Sequence, residues 1–191
     1  MFLSLTVICV VVGGLLGLVA DVTAQPIQDA KDAAQKAAIA AVAPEFDAVA
    51  DPQNVEQPNG LEAIVFAVSK GGEVVGHAVQ ATTLKGFGGK VIIMFGFDLD
   101  GNITGYNVLD CSNETPGLGS KIPVWFQKGQ KGDVIGKNPM TNNLSVSKDG
   151  GEVDAITAAT ISSRAFCDAI AQAASVLTGT DVKTAASAQV E

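Results

Sequence analysis

The chain has 191 residues, a formal net charge of −8 at pH 7 and a pI of about 4.5. This acidic balance argues against nucleic-acid binding, which requires a basic surface for the phosphates. The single histidine and three widely spaced cysteines form no zinc-binding pattern. Cys111 and Cys167 could form a disulfide only if the fold brought them together, which the sequence does not show, and we expect free thiols.

The N-terminal segment, residues 2–20, is uncharged and consists mostly of Leu, Val, Ile, Gly and Ala. As a helix it would extend about 28 Å, close to the hydrocarbon thickness of a bilayer. A retained transmembrane anchor fits this length. A cleaved signal peptide is the alternative, because the small residues at positions 22–24 are compatible with a cleavage site.

Residues 25–60 are predicted to form a helix and a linker. The alanine-rich residues 28–43 favour a helix after Pro26, with Ala38, Ile39 and Val42 on one apolar face and Pro44 at its end. Residues 51–60 contain two prolines and predict a polar loop.

The following residues show the patterns of antiparallel strands. Runs 61–69 and 73–82 flank Lys70-Gly71-Gly72, and runs 91–97 and 103–110 flank a turn at 98–102, so each pair predicts a hairpin. The second turn resembles the start of a calcium loop, but Leu109 stands where a bidentate carboxylate is needed, which rejects calcium. Between the hairpins, the glycine-rich residues 85–90 form either a flexible loop or a segment that places Phe87 against a bound ring.

The remaining segments complete an α+β prediction. Residues 123–128 favour a short helix with Trp125 and Phe126, which could pack in the core or on a bound ring. Runs 144–147 and 152–155 predict a last hairpin, and residues 163–177 a helix with one apolar face. We therefore expect an antiparallel sheet with packed helices, preceded by one N-terminal transmembrane helix.

Two segments carry candidate chemistry. The first, Asp154-Ala155-Ile156-Thr157-Ala158-Ala159-Thr160-Ile161-Ser162-Ser163, places hydroxyls and small residues at the start of a helix. Helix N-termini attract phosphate, and small residues leave room for a bulky group. On spacing alone, a Ser/Thr helix cap is the commoner explanation.

The second segment, Glu114-Thr115-Pro116-Gly117-Leu118-Gly119-Ser120-Lys121, is a turn with two glycines. Glycines let backbone N–H groups approach a flat ring or a phosphate closely. By itself this segment is typical of an ordinary glycine-rich loop.

Together, and in this order, the two segments resemble the FMN-binding domain family, in particular the RnfG subunits of Rnf electron-transport complexes and the related NqrC subunits. In that family the last Thr of a Ser/Thr-Gly-Ala-Thr core carries FMN through a phosphoester bond, and Thr160 holds this position. Ala158 replaces the usual Gly, so we expect a turn that alanine can adopt. The resemblance implies cofactor-binding roles for Thr160, Thr157, Ala158, Ala159, Ser162, Glu114, Thr115, Gly117, Leu118, Gly119, Lys121 and Phe87.

The same resemblance implies an electron-carrying subunit of an ion-translocating ferredoxin:NAD oxidoreductase in a cell inner membrane. The FMN-binding domain would occupy residues 61–180, after an anchor at 1–24 and before a loose tail at 181–191. A single-pass retained anchor would hold this domain on the periplasmic side, among the other subunits of the complex, and a separate flavin transferase would attach the FMN.

Charged residues beside the two motifs complete the expected site. Asp154 and Arg164 would recognise or orient the phosphate, and Lys121 would offset its charge. The alternatives to an electron carrier are an anchored extracytoplasmic binding module without redox chemistry and the FMN domain of a periplasmic reductase.

Overall fold

The computed structural model of the chain describes residues 2–182, so the predicted tail at 181–191 lies almost entirely outside the described residues. The chain divides into two compact units, Met1–Ala37 and Ala38–Glu191.

The first unit belongs to helix α1, which runs through Phe2–Val42 without a break. This helix is long and apolar enough to cross a membrane, and its apolar part lies near the N-terminus with none of it buried. The predicted helix at 28–43 is confirmed up to Val42, but its predicted start after Pro26 is wrong, because Pro26 lies inside the continuous helix. A proline there removes one backbone hydrogen bond without forcing the helix to end.

The second unit is built on an antiparallel sheet in the order β1-β3-β4-β5-β6, with β2 also paired to β3. Its strands are β1 (Ala48–Val49), β2 (Gln53–Glu56), β3 (Glu62–Lys70), β4 (Glu73–Gly86), β5 (Gly89–Asp98) and β6 (Ile103–Asp110). Both predicted hairpins are confirmed, with longer central strands. Gly86 pairs with Gly89, so the glycine-rich segment is a tight turn that joins the two hairpins into one meander. The predicted loop at 51–60 is wrong in part, because β2 pairs with β3 there.

The two faces of the sheet have separate cores. The last turn of α1 packs Ala38, Ile39 and Val42 against one face. The helix end comes close to the sheet because the facing position, Gly96, has no side chain, and a Cβ there would collide with the Val42 carbonyl. Thr104 Oγ1 donates a hydrogen bond of 2.6 Å to that carbonyl, which satisfies one of the unpaired groups at the helix end.

The opposite face is covered by helix α3 (Thr160–Thr178) and the short helix α2 (Ile122–Trp125). Phe166 of α3 lies at the centre of an aromatic cluster and stacks on Phe126 with a centroid separation of 4.0 Å. Phe126 is therefore a core residue. Cys167 is buried in the same core and is not paired with Cys111.

The segment between α2 and α3 differs from the prediction. In place of a hairpin, Val146 and Val153 form a single isolated parallel bridge, and a 3-10 turn, Ser147–Asp149, connects them. The 3-10 turn ends at Gly150, whose φ of +83° is a left-handed conformation suited to glycine. Side chains of this turn contact the start of α3, which begins at Thr160, three residues earlier than predicted.

Candidate functional site

A cavity of about 310 Å³ opens where three segments meet, and its volume lies at the lower end of the range for small-molecule sites. The segments are the β4–β5 turn, the glycine-containing loop after β6 and the N-terminus of α3. The lining residues are Phe87, Thr115, Leu118, Gly119, Ala158, Ala159, Thr160, Ile161 and Ser162. All of them except Ile161 are candidates from the sequence, so the tertiary structure brings the two motifs and Phe87 to one place.

Phe87 stands at the tip of the β4–β5 turn with 67% of its surface exposed. An aromatic ring of this size is normally buried, because about 150–250 Å² of apolar surface otherwise remains in water. Its position at the cavity makes it available to pack against a flat ring. Ile161, which also lines the cavity, is exposed as well, so two apolar side chains at the cavity lie in water.

The turn before α3 holds Ala158 in an unusual backbone conformation. The Ala159 N–H donates to the Ile156 carbonyl at 2.9 Å, which closes a four-residue turn. Ala158 is its third residue and has a φ of +63°, the only positive φ of a non-glycine residue in the described chain. A type II turn requires this conformation and favours glycine at this position. We expected a turn whose backbone conformation alanine adopts readily, and this is wrong. Ala158 takes the left-handed conformation that glycine normally provides.

Helix α3 is not capped by the hydroxyls of the motif. Its N-cap residue is Ala159, which forms no side-chain cap hydrogen bond. Thr160 is the first helical residue, lines the cavity and has a half-buried side chain. The Ser163 hydroxyl, fully buried, accepts from the Ile156 N–H at 2.9 Å and donates to the Ala159 carbonyl at 3.0 Å. Ser163 thus fixes the turn and leaves Thr160 facing the cavity.

Glu114 connects all three segments from behind the cavity. Its side chain is buried, with 4% of the residue surface exposed. One carboxylate oxygen accepts from the Gly88 N–H at 3.1 Å, and the other accepts from the Ser162 hydroxyl. A Cβ at Gly119 would collide with this carboxylate, and a Cβ at Gly88 would collide with the backbone beside it. The glycines therefore allow the loops to close around Glu114, which positions the lining residues without itself lining the cavity.

A lysine from outside both sequence motifs is hydrogen-bonded to Thr160. Lys148, in the 3-10 turn Ser147–Asp149, donates from Nζ to Thr160 Oγ1 at 3.2 Å. The next residue, Asp149, accepts two hydrogen bonds of 2.7 Å from the Arg164 guanidinium. Arg164 lowers the pKa of Asp149 below its usual value, first through these hydrogen bonds. Arg164, predicted to orient a phosphate, is therefore bonded to a carboxylate.

The other candidates lie outside the cavity lining. Thr157 is exposed in the turn, Gly117 has a φ of +77° at the exposed end of its loop, and Lys121 is exposed beyond that loop. The carbonyl of Asp154 accepts a hydrogen bond of 2.9 Å from Trp125 Nε1, so its backbone has a structural contact. Trp125 is not among the residues that line the cavity.

Sequence reasoning missed Lys148 and Asp149, and it gave Ile161 and Ser163 of the first motif no separate role. The first two lie in a separate turn, and no spacing in the sequence indicates that this turn returns to Thr160. Ser163 is the last residue of the first motif, and its two buried hydrogen bonds depend on the turn geometry. Ile161 gives no signal of its own, because an apolar side chain in a polar motif suggests the core.

Comparison with known proteins gives consistent matches. A family model described as FMN-binding domain matches residues 86–175. The chain is 33% identical over 179 residues to the G subunit of an ion-translocating oxidoreductase complex of Stutzerimonas stutzeri, covering 90% of this chain and 77% of the relative. It is 38% identical over 112 residues to a protein of the same description from Aliivibrio fischeri, covering 57% of this chain and 52% of the relative.

A third relative is the G subunit of the Na(+)-translocating ferredoxin:NAD(+) oxidoreductase complex of Acetobacterium woodii. The identity is 34% over 130 residues, which covers 67% of this chain and 61% of the relative. The chain spans about half the length of several relatives that it matches.

Proposed function

On the premise that the chain belongs to the FMN-binding domain family, as a G subunit of the RnfG type, we propose that it carries electrons within an ion-translocating ferredoxin:NAD oxidoreductase complex. The FMN would be bound covalently, through a phosphoester to Thr160. The partners would be the other membrane and peripheral subunits of the complex. The domain would lie on the periplasmic side of a cell inner membrane, held by α1.

The observation that carries the proposal is the location and hydrogen bonding of the Thr160 hydroxyl. It lines the cavity instead of capping α3, and it accepts a hydrogen bond from Lys148. Among the described residues, Thr160 is the hydroxyl that combines the family's attachment position with a place in the cavity wall beside a cation. Ser162, also in the wall, is bonded to Glu114.

The rest of the cavity fits a flat ring attached at Thr160. Phe87 and Leu118 provide apolar surface for the ring. Gly119 allows its loop to pack closely at the cavity, because a Cβ at this position would collide with Glu114 and Ser162. The phosphate would lie at the first turn of α3, where unpaired N–H groups and the helix dipole favour a negative charge. The flavin supplies the redox chemistry, and the chain holds and orients it.

Attachment would be performed by a separate flavin transferase that uses FAD. The Thr160 oxygen would form a bond to the phosphorus on the FMN side, the pyrophosphate bond would break, and AMP would leave. The hydroxyl proton would pass to a base of the transferase, because the neighbour of Thr160 in this chain, Lys148, is a hydrogen-bond donor. A covalent bond removes the dependence on free FMN, whose supply outside the cytoplasm would be limited.

The test is a comparison of Thr160→Val with Thr141→Val in a host that contains the transferase. The wild type and Thr141→Val are expected to show flavin fluorescence on the denatured band and a mass increase of one FMN. Thr160→Val is expected to lose both. The control makes the same chemical change, but Thr141 is exposed and lies outside both motifs and the cavity wall. Fluorescence that persists in Thr160→Val would refute the attachment site.

A second experiment addresses the complex. Affinity purification of the flavinylated chain from native membranes is expected to recover multi-helix membrane subunits in fixed stoichiometry. Recovery of the chain alone, or with a soluble reductase partner, would favour the periplasmic reductase and contradict the assignment to an ion-translocating complex.

A further inference from the structure

The first turn of α3 contacts the 3-10 turn Ser147–Asp149 through two adjacent side chains of that turn. Lys148 donates to Thr160 Oγ1 at 3.2 Å, and Asp149 accepts two bonds of 2.7 Å from Arg164. Thr160 and Arg164 are four residues apart and therefore lie on the same face of the helix. Lys148 and Asp149 therefore contact the same face of α3, one helical turn apart.

The Asp149–Arg164 pair has the geometry of a clamp. Two parallel hydrogen bonds from a guanidinium fix the orientation of a carboxylate better than a single bond does. The Arg164 and Asp149 side chains are 30% and 14% exposed, so the pair is partly shielded from water. Because Lys148 immediately precedes Asp149, this clamp holds the backbone from which the lysine side chain extends toward Thr160.

Among the described residues, the other cations of these segments do not contact Thr160. Arg164 is bonded to Asp149, and Lys85 is bonded to the buried Asp168 at 3.1 Å. Lys121 and Lys148 are both exposed and both outside the cavity lining, but only Lys148 is hydrogen-bonded to Thr160. Lys148 is the lysine whose ammonium contacts the oxygen at which the phosphate would be attached.

We propose that Lys148 binds the phosphate of the attached flavin and that the Asp149–Arg164 pair positions Lys148 for this role. The inference rests on the proposed attachment at Thr160. A phosphodiester carries one negative charge, which the single ammonium can neutralise while it donates to a non-bridging oxygen. Arg164 then acts on the phosphate only through Asp149 and Lys148, and Lys121 has no part in binding it.

The first experiment uses the wild-type chain, prepared with and without the transferase. Both forms are treated briefly with an acetylating reagent, and peptide masses give the modification rate of each lysine. Lys148 is expected to react about tenfold more slowly when Thr160 carries FMN, the size expected for one charge-assisted hydrogen bond. Lys121 is expected to react at the same rate in both forms. Equal rates for Lys148, or protection of Lys121 in its place, would overturn the proposal.

The second experiment separates charge pairing from simple shielding by the flavin. The 31P resonance of the flavinylated chain is compared among Lys148→Gln, Lys148→Arg and the control Lys121→Gln. We expect the resonance to shift in Lys148→Gln, to stay near the wild-type position in Lys148→Arg and to be unchanged in Lys121→Gln. An unshifted resonance in Lys148→Gln would overturn the proposal.

Whether the lysine variants acquire FMN is a further measurement. Folded Lys148→Gln that acquires no FMN, while Lys148→Arg acquires it, would support phosphate binding during attachment. If both variants fail to acquire FMN, the acetylation result on the wild type decides.

The positioning role of Arg164 is tested with Arg164→Gln. This variant is expected to restore part of the Lys148 reactivity in the flavinylated chain, and Lys148 protection equal to that of the wild type would refute the positioning role. Absence of FMN from wild-type Thr160 would instead refute the proposed function, and the mass of the wild-type chain distinguishes the two failures.

Discussion

Replacing Ala158 by glycine should stabilise the protein, although glycine usually destabilises. Ala158 has a φ of +63° and an exposed side chain, so its methyl group gains little from burial. An L-residue in the left-handed region loses about 1–2 kcal/mol, because its Cβ approaches the following carbonyl oxygen. Glycine avoids this loss.

Glycine also raises the entropy of the unfolded chain, which offsets about 0.4–1 kcal/mol of the gain. The net stabilisation expected for Ala158→Gly is therefore about 0.5–1 kcal/mol. For a domain of this size that corresponds to a rise in Tm of about 1–4 °C. The neighbouring variant Ala159→Gly provides a control of opposite sign.

Ala159 has a φ of −132° and is 7% exposed. Glycine there relieves no strain, removes a buried methyl group and increases the unfolded entropy, so a loss of about 1–2 kcal/mol is expected. Both variants are measured by urea unfolding of the unflavinylated full-length chain in detergent, followed by circular dichroism. If Ala158→Gly destabilises as Ala159→Gly does, Ala158 does not hold the left-handed conformation, and the account of the turn is wrong.

Three other predictions concern buried polar groups. Ser162→Ala should cost about 2 kcal/mol in urea unfolding, because it removes a donor from the buried carboxylate of Glu114; in the Glu114→Gln background the cost should be smaller, and an equal cost would contradict the bond. Lys85→Met should destabilise by about 3 kcal/mol, since it removes the cation from the fully buried Asp168. Asp168→Asn should cost less, because Lys85 is 31% exposed and can turn toward water, so the reverse order would refute this reasoning. Burial raises the pKa of the Cys167 thiol to about 12, so iodoacetamide at pH 8 should label it only after unfolding, and rapid labelling of the folded chain would contradict its burial.

The sequence by itself determined the strands of the first two hairpins and the candidate attachment motif, because both depend on local patterns. Alternating apolar residues and the Lys70-Gly71-Gly72 turn predict the first hairpin, and the pattern of β6 predicts the bounds that the structure has. Short motifs and glycine-rich context select Thr160, Glu114 and Phe87. Local patterns fail where the chain uses a single bridge, as at Val146 and Val153, because isolated pairing leaves no periodicity.

Only the tertiary structure decided how the site is assembled. The second motif predicts that Glu114 contacts the cofactor, but burial and its bonds to Gly88 and Ser162 place it behind the cavity wall. No motif selects Lys148, because the 3-10 turn that carries it lies against the first turn of α3 only in the folded chain, where Asp149 pairs with Arg164. These contacts join side chains of residues that are 12 and 15 positions apart in the sequence. Hydrophobic periodicity and turn signals report only on nearer neighbours, so they do not predict such contacts.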